Sequence, residues 1–249
     1  MIEPPLAALG LDPATRTEAA GGTTGRLWRV CTTDGTYALR LTPQKGEFAA
    51  MAAAHAAGLP VPAVVRQAEI PYGTAALLDW SPGVPLAQAL LEHPDNARRL
   101  GESVGAMQRR LNELPAPPQL GPPDNWMLPP GHDVPDGKSL LHLDFHWLNV
   151  LTDGIGVTAI LDWENARRGP AVLDQARTWS LLTIEPSLAE LDASARTITQ
   201  TFAAGWMAGY GIDSIPGWAK KWAAAAMVAD LTPRYADRPH LLDPLRSRT

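Results

Sequence analysis

The chain has 249 residues, of which 45% are hydrophobic and 19% are charged, and its formal net charge is −5. This composition is that of a globular protein and excludes a largely disordered chain. No basic run stands out, which argues against nucleic acid as a partner. The N-terminus has neither the basic region nor the long apolar core of a signal peptide, and the longest apolar run, 222–229, is too short to span a bilayer. We therefore expect a soluble cytoplasmic protein that does not use a membrane as partner.

The N-terminal third predicts a small antiparallel sheet with one helix. Residues 16–42 divide into three strands, separated by a glycine-rich turn and by a tight Asp-Gly turn. The alanine-rich segment 44–57 predicts a helix, and two further strands are predicted near 62–69 and 74–79. Cys31 lies in a predicted strand and is expected to be a small buried side chain, not a reactive thiol.

The rest of the chain predicts a different organisation. The Ser-Pro-Gly segment 81–83 ends the strand pattern and is a suitable link between two lobes. Residues 95–112 place apolar side chains on one helical face, and the proline-rich segment 114–137 reads as a loop. Two short strands flank a second Asp-Gly turn at 153–154, and helices are expected from about residue 170 onward. The predicted fold class is α+β.

The most informative motif is LLHLDFHWLNVL, residues 140–151. His142, Asp144 and Asn149 match the spacing H-x-D-x-x-x-x-N that kinase catalytic loops use. An apolar strand that ends at Leu141 would anchor the loop. Asp144 would then accept the proton of a substrate hydroxyl or orient that hydroxyl, and the side-chain oxygen of Asn149 would ligate Mg²⁺ beside the phosphates.

A second acidic residue follows at a useful distance. The predicted strand VTAIL leads to Asp162 in the sequence LDWE. A hairpin with Asn149 at one end and Asp162 at the other brings two oxygen ligands together, and Mg²⁺ prefers such ligands. The alternative is that Asp144 and Asp162 are only capping or turn residues.

The stretch His142–Ala176, with HLDFHWLNVL, VTAILDWENARRGP and LDQA, resembles the signature of the aminoglycoside phosphotransferase and choline kinase superfamily. Together with the predicted elements, the resemblance implies a bilobal, protein-kinase-like fold. Its N-terminal nucleotide-binding lobe would span residues 1–80, its hinge 81–83, and its mainly helical catalytic and substrate-binding lobe 84–249.

The resemblance also implies roles for single residues. Asp162 would replace the D-F-G aspartate of protein kinases as a metal ligand, Asp174 would be structural, and His142 would brace the loop. His146 completes an H-x-D-x-H string with His142, which leaves open a metal-dependent hydrolase.

The glycine-rich turn is the candidate cover for nucleotide phosphates, because glycines let backbone amides approach phosphate closely and hydroxyls add donors. This predicted loop consists of Gly21, Gly22, Thr23, Thr24 and Gly25. The segment AALLDWSPGVPL resembles the hinge of the family, where the carbonyl of Asp79 and the amide of Ser81 would bind adenine.

A kinase also needs a cation on its third strand and an acid on its first helix. Arg40 and Glu47 fill these positions, although the interval between them is shorter than the family usually has, which makes Lys45 the alternative cation. Leu39 and Leu41 suit an apolar face under the helix, which would turn Arg40 outward. The family pattern favours Arg40, because its cation directly follows an apolar strand residue.

Acceptor candidates are aromatic and polar residues near the predicted loops, since a tryptophan face can hold an ammonium group and carboxylates can pair with it. These candidates are Trp126, His146, Trp147, Glu164 and Glu185. The tryptophans of predicted helices are expected in the core. They are Trp206, Trp218 and Trp222.

The sequence therefore predicts an Mg²⁺-dependent kinase that moves the γ-phosphoryl group of ATP, or of GTP, to a hydroxyl of a small molecule. The acceptor would be an aminoglycoside-like antibiotic, a choline-like amine or a related metabolite. Two alternatives remain open. One is a nucleotide-binding pseudokinase with a regulatory role, which Arg40 and its short spacing motivate, and the other is the hydrolase that would use His142 and His146.

Overall fold

The computed structural model describes residues 3–12, 16–19, 27–44 and 46–249. The predicted phosphate loop Gly21–Gly25 and the alternative cation Lys45 lie outside the described residues.

The strands are β1 (Arg16–Ala19), β2 (Leu27–Cys31), β3 (Thr36–Thr42), β4 (Val64–Ile70), β5 (Gly73–Asp79), β6 (Val84–Pro85), β7 (Ser139–Leu141), β8 (Val150–Thr152), β9 (Val157–Ile160) and β10 (Arg167–Gly169). The helices are α1 (Glu3–Ala8), α2 (Glu47–Ala56), α3 (Leu86–Glu92), α4 (Ala97–Asn112), α5 (Ala171–Thr183), α6 (Ala193–Tyr210), α7 (Gly217–Leu231) and α8 (Asp243–Arg246).

The N-terminal part is an antiparallel sheet with strand order β1-β2-β3-β5-β4. Successive strand residues point to opposite faces, so each strand contributes to two layers. On one face Leu39 and Leu77 pack with Leu6 and Leu9, which belong to the α1 region. The other face lies on the side of α2, whose buried residues join the main core. The sequence did not predict α1. Because α1 covers one face of the sheet, Leu39 is buried on that face and not on the face under α2.

Two side chains lie differently from the sequence-based expectation. Cys31 is exposed, because in β2 the fully buried position is Val30 and the alternation directs Cys31 away from the core. Trp218 is 43% exposed in the first turn of α7, whereas Trp206 and Trp222 are 1% exposed and confirm the prediction of core tryptophans.

A short link joins the sheet to the following hairpin. β5 ends at Asp79, and β6 pairs with β8 in a second sheet of order β6-β8-β9. The hydroxyl of Thr158 donates to the carbonyl oxygen of Pro82 at 2.9 Å. Gly83 has a φ of +114°, and a Cβ there would lie 2.4 Å from Thr158 Oγ1. The link is therefore held against the hairpin that separates Asn149 from Asp162.

The C-terminal part is mainly helical, which confirms the α+β class with the sheet first and the helices later. α4 and α6 lie in backbone contact, since a Cβ at Gly209 would lie 2.0 Å from the carbonyl oxygen of Glu102. The large side chains that fill this core are Phe145, Trp163, Phe202, Trp206 and Trp222. Among the described helices, none combines the length and apolarity that crossing a bilayer requires.

Replacing Gly209 by alanine tests this close contact. We expect Gly209→Ala to lower the free energy of unfolding by about 1–3 kcal/mol, because the methyl group would force α4 and α6 apart. Gly217→Ala is the matched control, since nothing lies within 4 Å of a Cβ at that position in α7. The control should be neutral or stabilising by up to about 1 kcal/mol. Urea unfolding measures both, and equal stability of Gly209→Ala and the parent would contradict the contact.

Candidate active site

A buried carboxylate holds the start of the loop that follows β7. Asp174, in the first turn of α5, is fully buried. Its Oδ1 accepts hydrogen bonds from the amides of His142 (3.1 Å) and Leu143 (2.6 Å). Its Oδ2 accepts from the side-chain amide of Asn112 in α4 at 2.8 Å. These bonds satisfy a charge that would be unfavourable in the core without partners.

A polar network extends this support to α6. The hydroxyl of Tyr210 donates to Asn112 Oδ1 at 3.0 Å and accepts from the side chain of Gln175 at 2.8 Å. Burial raises the pKa of Tyr210 to about 12, and the negative charge of Asp174 acts in the same direction. The phenol therefore stays protonated at neutral pH and remains a donor, so α4, α5 and α6 are joined beneath the loop.

His142 connects the loop to the strand that precedes Asp162. Its ring is buried between Phe145 and Trp163, and its Nε2 lies 3.0 Å from the carbonyl oxygen of Leu161. Its Nδ1 accepts from the amide of Asp144 at 3.3 Å. Burial lowers the pKa of His142 and outweighs the neighbouring carboxylates, so the ring is neutral with the proton on Nε2. This placement is the bracing position that the resemblance implies.

Asp144 and Asn149 are in direct contact. The side-chain amide of Asn149 donates to both the carbonyl oxygen and Oδ2 of Asp144, each at 2.9 Å. Nε2 of His146 lies 3.4 Å from Asp144 Oδ1. Burial by itself would raise the pKa of Asp144, but the hydrogen bond and charge of His146, with the charge of Arg177, hold it well below its usual range. Asp144 is therefore an ionised acceptor that retains access to solvent.

The β8–β9 hairpin brings Asn149 and Asp162 to the same end. Val150 pairs with Ile160, and the amide of Leu161 donates to the carbonyl oxygen of Asn149 at 2.8 Å. Asp162 follows with a φ of +59° and a side chain that is 38% exposed. Because the Asn149 nitrogen faces Asp144, its oxygen is directed elsewhere. One carboxylate and one amide oxygen at this position fit Mg²⁺.

Arg40 links the sheet to this hairpin. Its Nε lies 3.1 Å from Oε1 of Glu47 in α2, and its Nη2 lies 2.9 Å from Asp162 Oδ1 and 3.2 Å from Glu164 Oε2. The Arg40 side chain is 11% exposed, and its guanidinium contacts three carboxylates instead of pointing to solvent. Arg40 contacts Glu47 as predicted, and the outward turn that Leu39 and Leu41 could have imposed does not occur, because α1 covers the face of Leu39 and leaves Arg40 on the side of α2. Burial raises the pKa of Glu47 although the Arg40 charge opposes the shift.

The hinge residues lie where β5 ends. Asp79 is the last residue of β5, where it pairs with Tyr37 of β3, and its amide donates to the carbonyl oxygen of Ala63 at 3.0 Å. Ser81 follows in the link and is half-buried.

The side chains of the two histidines do not converge, since His142 faces Leu161 and His146 faces Asp144. Across the part of the chain that the structure describes, no three His, Cys, Asp or Glu side chains form a metal cluster.

The acceptor candidates do not form one pocket. Trp147 packs edge-on against Phe202 at 5.7 Å between ring centroids, and Glu164 pairs with Arg40. Glu185 caps the 3-10 helix Pro186–Glu190 by accepting from the amide of Ser187 at 2.9 Å. Trp126 lies under a guanidinium, as described next. Of these candidates, His146 is the one for which the structure shows a contact with Asp144.

The sequence analysis missed an arginine below the loop. Arg177 lies on α5, one turn after Asp174, and is 2% exposed. Its Nη2 contacts Asp230 Oδ2 at 2.6 Å, its Nε donates to the carbonyl oxygen of Leu143 at 3.3 Å, and its guanidinium lies 4.8 Å from the ring centroid of Trp126. The i, i+3 spacing to Asp174 is a signal that could have placed both side chains on one helix face.

The hydrogen bonds of Asp174 generate a stability prediction. Asp174→Asn keeps the shape but replaces one acceptor oxygen by a donor, so at least one buried partner loses its bond. We expect the free energy of unfolding to fall by about 1–3 kcal/mol. Asp153→Asn is the control, because Asp153 also accepts from two backbone amides but is exposed. Chemical denaturation compares the two, and a smaller loss for Asp174→Asn than for Asp153→Asn would contradict the role of the buried carboxylate.

Comparisons with known proteins identify the family and the fold. The sequence profile of a phosphotransferase enzyme family (APH) matches residues 15–135 and 128–221. A search of curated protein sequences found no match. Solved structures with the same fold include a thermostable aminoglycoside phosphotransferase mutant in a ternary complex with AMP-PNP and hygromycin B, at 15% identity and a TM-score of 0.66, covering 99% of this chain and 97% of that one.

Two further structures have the same fold. An aminoglycoside phosphotransferase from Streptomyces rimosus, in complex with ADP and streptomycin, is 15% identical with a TM-score of 0.60, over 91% of this chain and 97% of that one. A choline/ethanolamine kinase family protein from Mesorhizobium loti is 18% identical with a TM-score of 0.57, over 97% of this chain and 88% of that one. The predicted kinase-like fold and the resemblance are confirmed. With its profile match over most of its length, the chain belongs to the phosphotransferase enzyme family.

Proposed function

We propose that the protein is a small-molecule kinase that transfers the γ-phosphoryl group of ATP, or of GTP, to a hydroxyl group in the presence of Mg²⁺. One observation carries the proposal. Asp144, Asn149, Asp162 and Arg40 converge through direct contacts or paired strands at the junction of the sheet and the helical part. These four residues would supply a carboxylate that accepts the proton of the substrate hydroxyl, two metal ligands and a phosphate-binding cation. Phosphoryl transfer requires these parts.

The nucleotide would lie against the sheet. Arg40 would bind phosphate oxygens while Glu47 holds its guanidinium in place, and the Gly21–Gly25 segment would cover the phosphates. Adenine would bond to the backbone at Asp79 and Ser81. A guanidinium is suited to this task because its planar fork matches phosphate oxygens.

Asn149 and Asp162 would hold the metal. When bound, Mg²⁺ would neutralise charge on the phosphoryl group during transfer. The charges around Arg40 support a second cation, because its single guanidinium faces the carboxylates of both Glu47 and Asp162. When both carboxylates are ionised, they carry one negative charge more than Arg40 balances.

Asp144 would orient the acceptor hydroxyl and receive its proton. Its depressed pKa makes it a weak base, which is sufficient because the transition state of phosphoryl transfer is loose and the hydroxyl loses its proton late. Asn149 and His146 keep the carboxylate in position through contacts at 2.9 and 3.4 Å.

The acceptor hydroxyl would have to reach the Asp144 carboxylate. A cavity of about 690 Å³ at the C-terminal end of α5 is lined by Leu182, Glu185, Tyr235 and Leu245, but not by Asp144, Asn149 or Asp162, so it does not support an acceptor site on its own. The relatives bound to hygromycin B and streptomycin make hydroxylated amines the first compounds to examine.

The pseudokinase alternative has one observation in its favour. Arg40 pairs with Asp162, so the phosphate-binding cation already contacts a proposed metal ligand. A protein that binds Mg·ATP but transfers phosphate to neither water nor any acceptor would support this alternative. The same turnover measurement therefore separates the two functions.

Asp144→Asn is the first test of the proposed function. We expect turnover to fall by about 10²–10⁴-fold with nucleotide binding retained, because the amide cannot receive the proton. Turnover is screened with ATP and GTP against hygromycin B, streptomycin, choline and ethanolamine. Asp136→Asn, an exposed aspartate in the preceding loop, is the control and should keep full activity. Activity of Asp144→Asn within a few-fold of the parent would remove Asp144 from this role.

The metal assignment has its own test. ATP should bind more tightly with Mg²⁺ than with EDTA, and Asp162→Ala should abolish most of that difference, because a charged ligand is lost. Glu164→Gln is the control, since Glu164 shares the contact with Arg40 but is not a proposed ligand. Calorimetry measures the six affinities, those of the parent and the two variants, each with Mg²⁺ and with EDTA. The same Mg²⁺ dependence in Asp162→Ala and in the parent would exclude Asp162 as a ligand.

A further inference from the structure

We propose that Arg177 is a positioning residue for phosphoryl transfer, which acts by holding the Leu143 peptide and thereby the carboxylate of Asp144. The proposal rests on the proposed function of Asp144. It concerns a residue on α5 that lies outside the H-x-D-x-x-x-x-N motif and outside the metal hairpin.

Leu143 has a backbone conformation that needs external support. Its φ is +60°, in the left-handed region that L-residues with a side chain disfavour. Its side chain is fully buried, so leucine is retained for packing in spite of its backbone. A strained backbone conformation is maintained only when several surrounding contacts hold it, and such conformations occur at functional sites.

Two side chains of one helix hold this residue from both sides. Asp174 accepts from the amide of Leu143 at 2.6 Å, and Arg177 donates from Nε to its carbonyl oxygen at 3.3 Å. Asp174 and Arg177 are three residues apart and therefore lie on the same face of α5. Helix α5 therefore fixes the distance between Asp174, which accepts from the Leu143 amide, and Arg177, which donates to the Leu143 carbonyl oxygen.

Arg177 is itself fixed by two groups. Its Nη2 is 2.6 Å from Asp230 in α7, and Trp126 lies under its guanidinium at 4.8 Å. Thr178, the next residue on the helix, holds the loop separately by donating to the carbonyl oxygen of Phe145 at 3.0 Å. The Nη1 of Arg177 is buried and has no hydrogen-bond partner among the described residues. A buried charge that is incompletely paired contributes little to stability compared with an apolar side chain of similar size. Its placement is therefore better explained by what it positions.

The effect on chemistry follows from chain order. Asp144 is the next residue after Leu143, so a rotation of the Leu143 backbone would displace the Asp144 carboxylate from Asn149 and His146. A misplacement of about 1 Å in a reacting group lowers the rate about 10²-fold. Arg177 does not contact the sheet, so nucleotide affinity should not depend on it.

The test replaces Arg177 by methionine and by lysine. For Arg177→Met we expect hydrolysis of Mg·ATP and transfer to hygromycin B to fall about 10²-fold in kcat, with an unchanged Kd for Mg·ATP. Arg177→Lys should retain part of the activity, since it keeps a donor and the charge. Arg234→Met is the matched control, because Arg234 pairs with the other oxygen of Asp230 at 3.3 Å, is 69% exposed and does not touch the loop. It should leave kcat unchanged.

Amide hydrogen exchange provides a readout that needs no activity. In Arg177→Met the segment 142–149 should exchange faster than in the parent, while β9 should be unchanged. If Arg177→Met does not fold, Arg177→Lys serves for the same comparison. A kcat within about threefold of the parent, or unchanged exchange of 142–149 in a folded variant, overturns the proposal. A parent protein that transfers no phosphate overturns the proposed function instead, and exchange alone then decides whether Arg177 holds the loop.

Discussion

Asp174 is fully buried, and its carboxylate accepts the amides of His142 and Leu143 together with the side chain of Asn112. A carboxylate is stable in such a place only when its partners surround it. Its partners come from α4 and from the loop after β7, so the loop takes its conformation only when the helical part has assembled. The position of Asp144 is therefore a consequence of how the C-terminal core folds, and core stability and active-site geometry depend on the same bonds.

Arg40 connects the N-terminal sheet with the C-terminal helical part through its own set of ionic contacts. It joins Glu47 of α2 to Asp162 and Glu164, which lie 122 and 124 residues further along the chain. A guanidinium has several donors in a fixed plane, so it can serve carboxylates on two sides at once. The same contacts have a functional implication for the proposed kinase. A metal would compete with Arg40 for Asp162, and nucleotide phosphates would compete with Asp162 for Arg40, so occupation of the site would change how the sheet is tied to the hairpin.

Much of the candidate site could be predicted because its residues are close in sequence. His142, Asp144 and Asn149 lie on one loop, and the hairpin after Asn149 determines where Asp162 lies. The acceptor residues could not be predicted in this way. Glu185 was chosen by residue type, and the tryptophans by residue type and nearness to predicted loops, whereas burial, helix capping and stacking decide their contacts. Arg177 was missed for the same reason, since its importance comes from a carbonyl 34 positions earlier in the chain.

The sequence by itself determined the α+β class, the order of sheet and helices, and the loop and hairpin that carry Asp144, Asn149 and Asp162. Short-range geometry is sufficient for these features, because turns, strand alternation and motif spacing act over a few residues. The tertiary structure decided that Arg40 points inward, that Cys31 is exposed and that Arg177 donates to the carbonyl oxygen of Leu143. Each of these depends on which element covers a given face, and such coverage arises only when distant segments pack together.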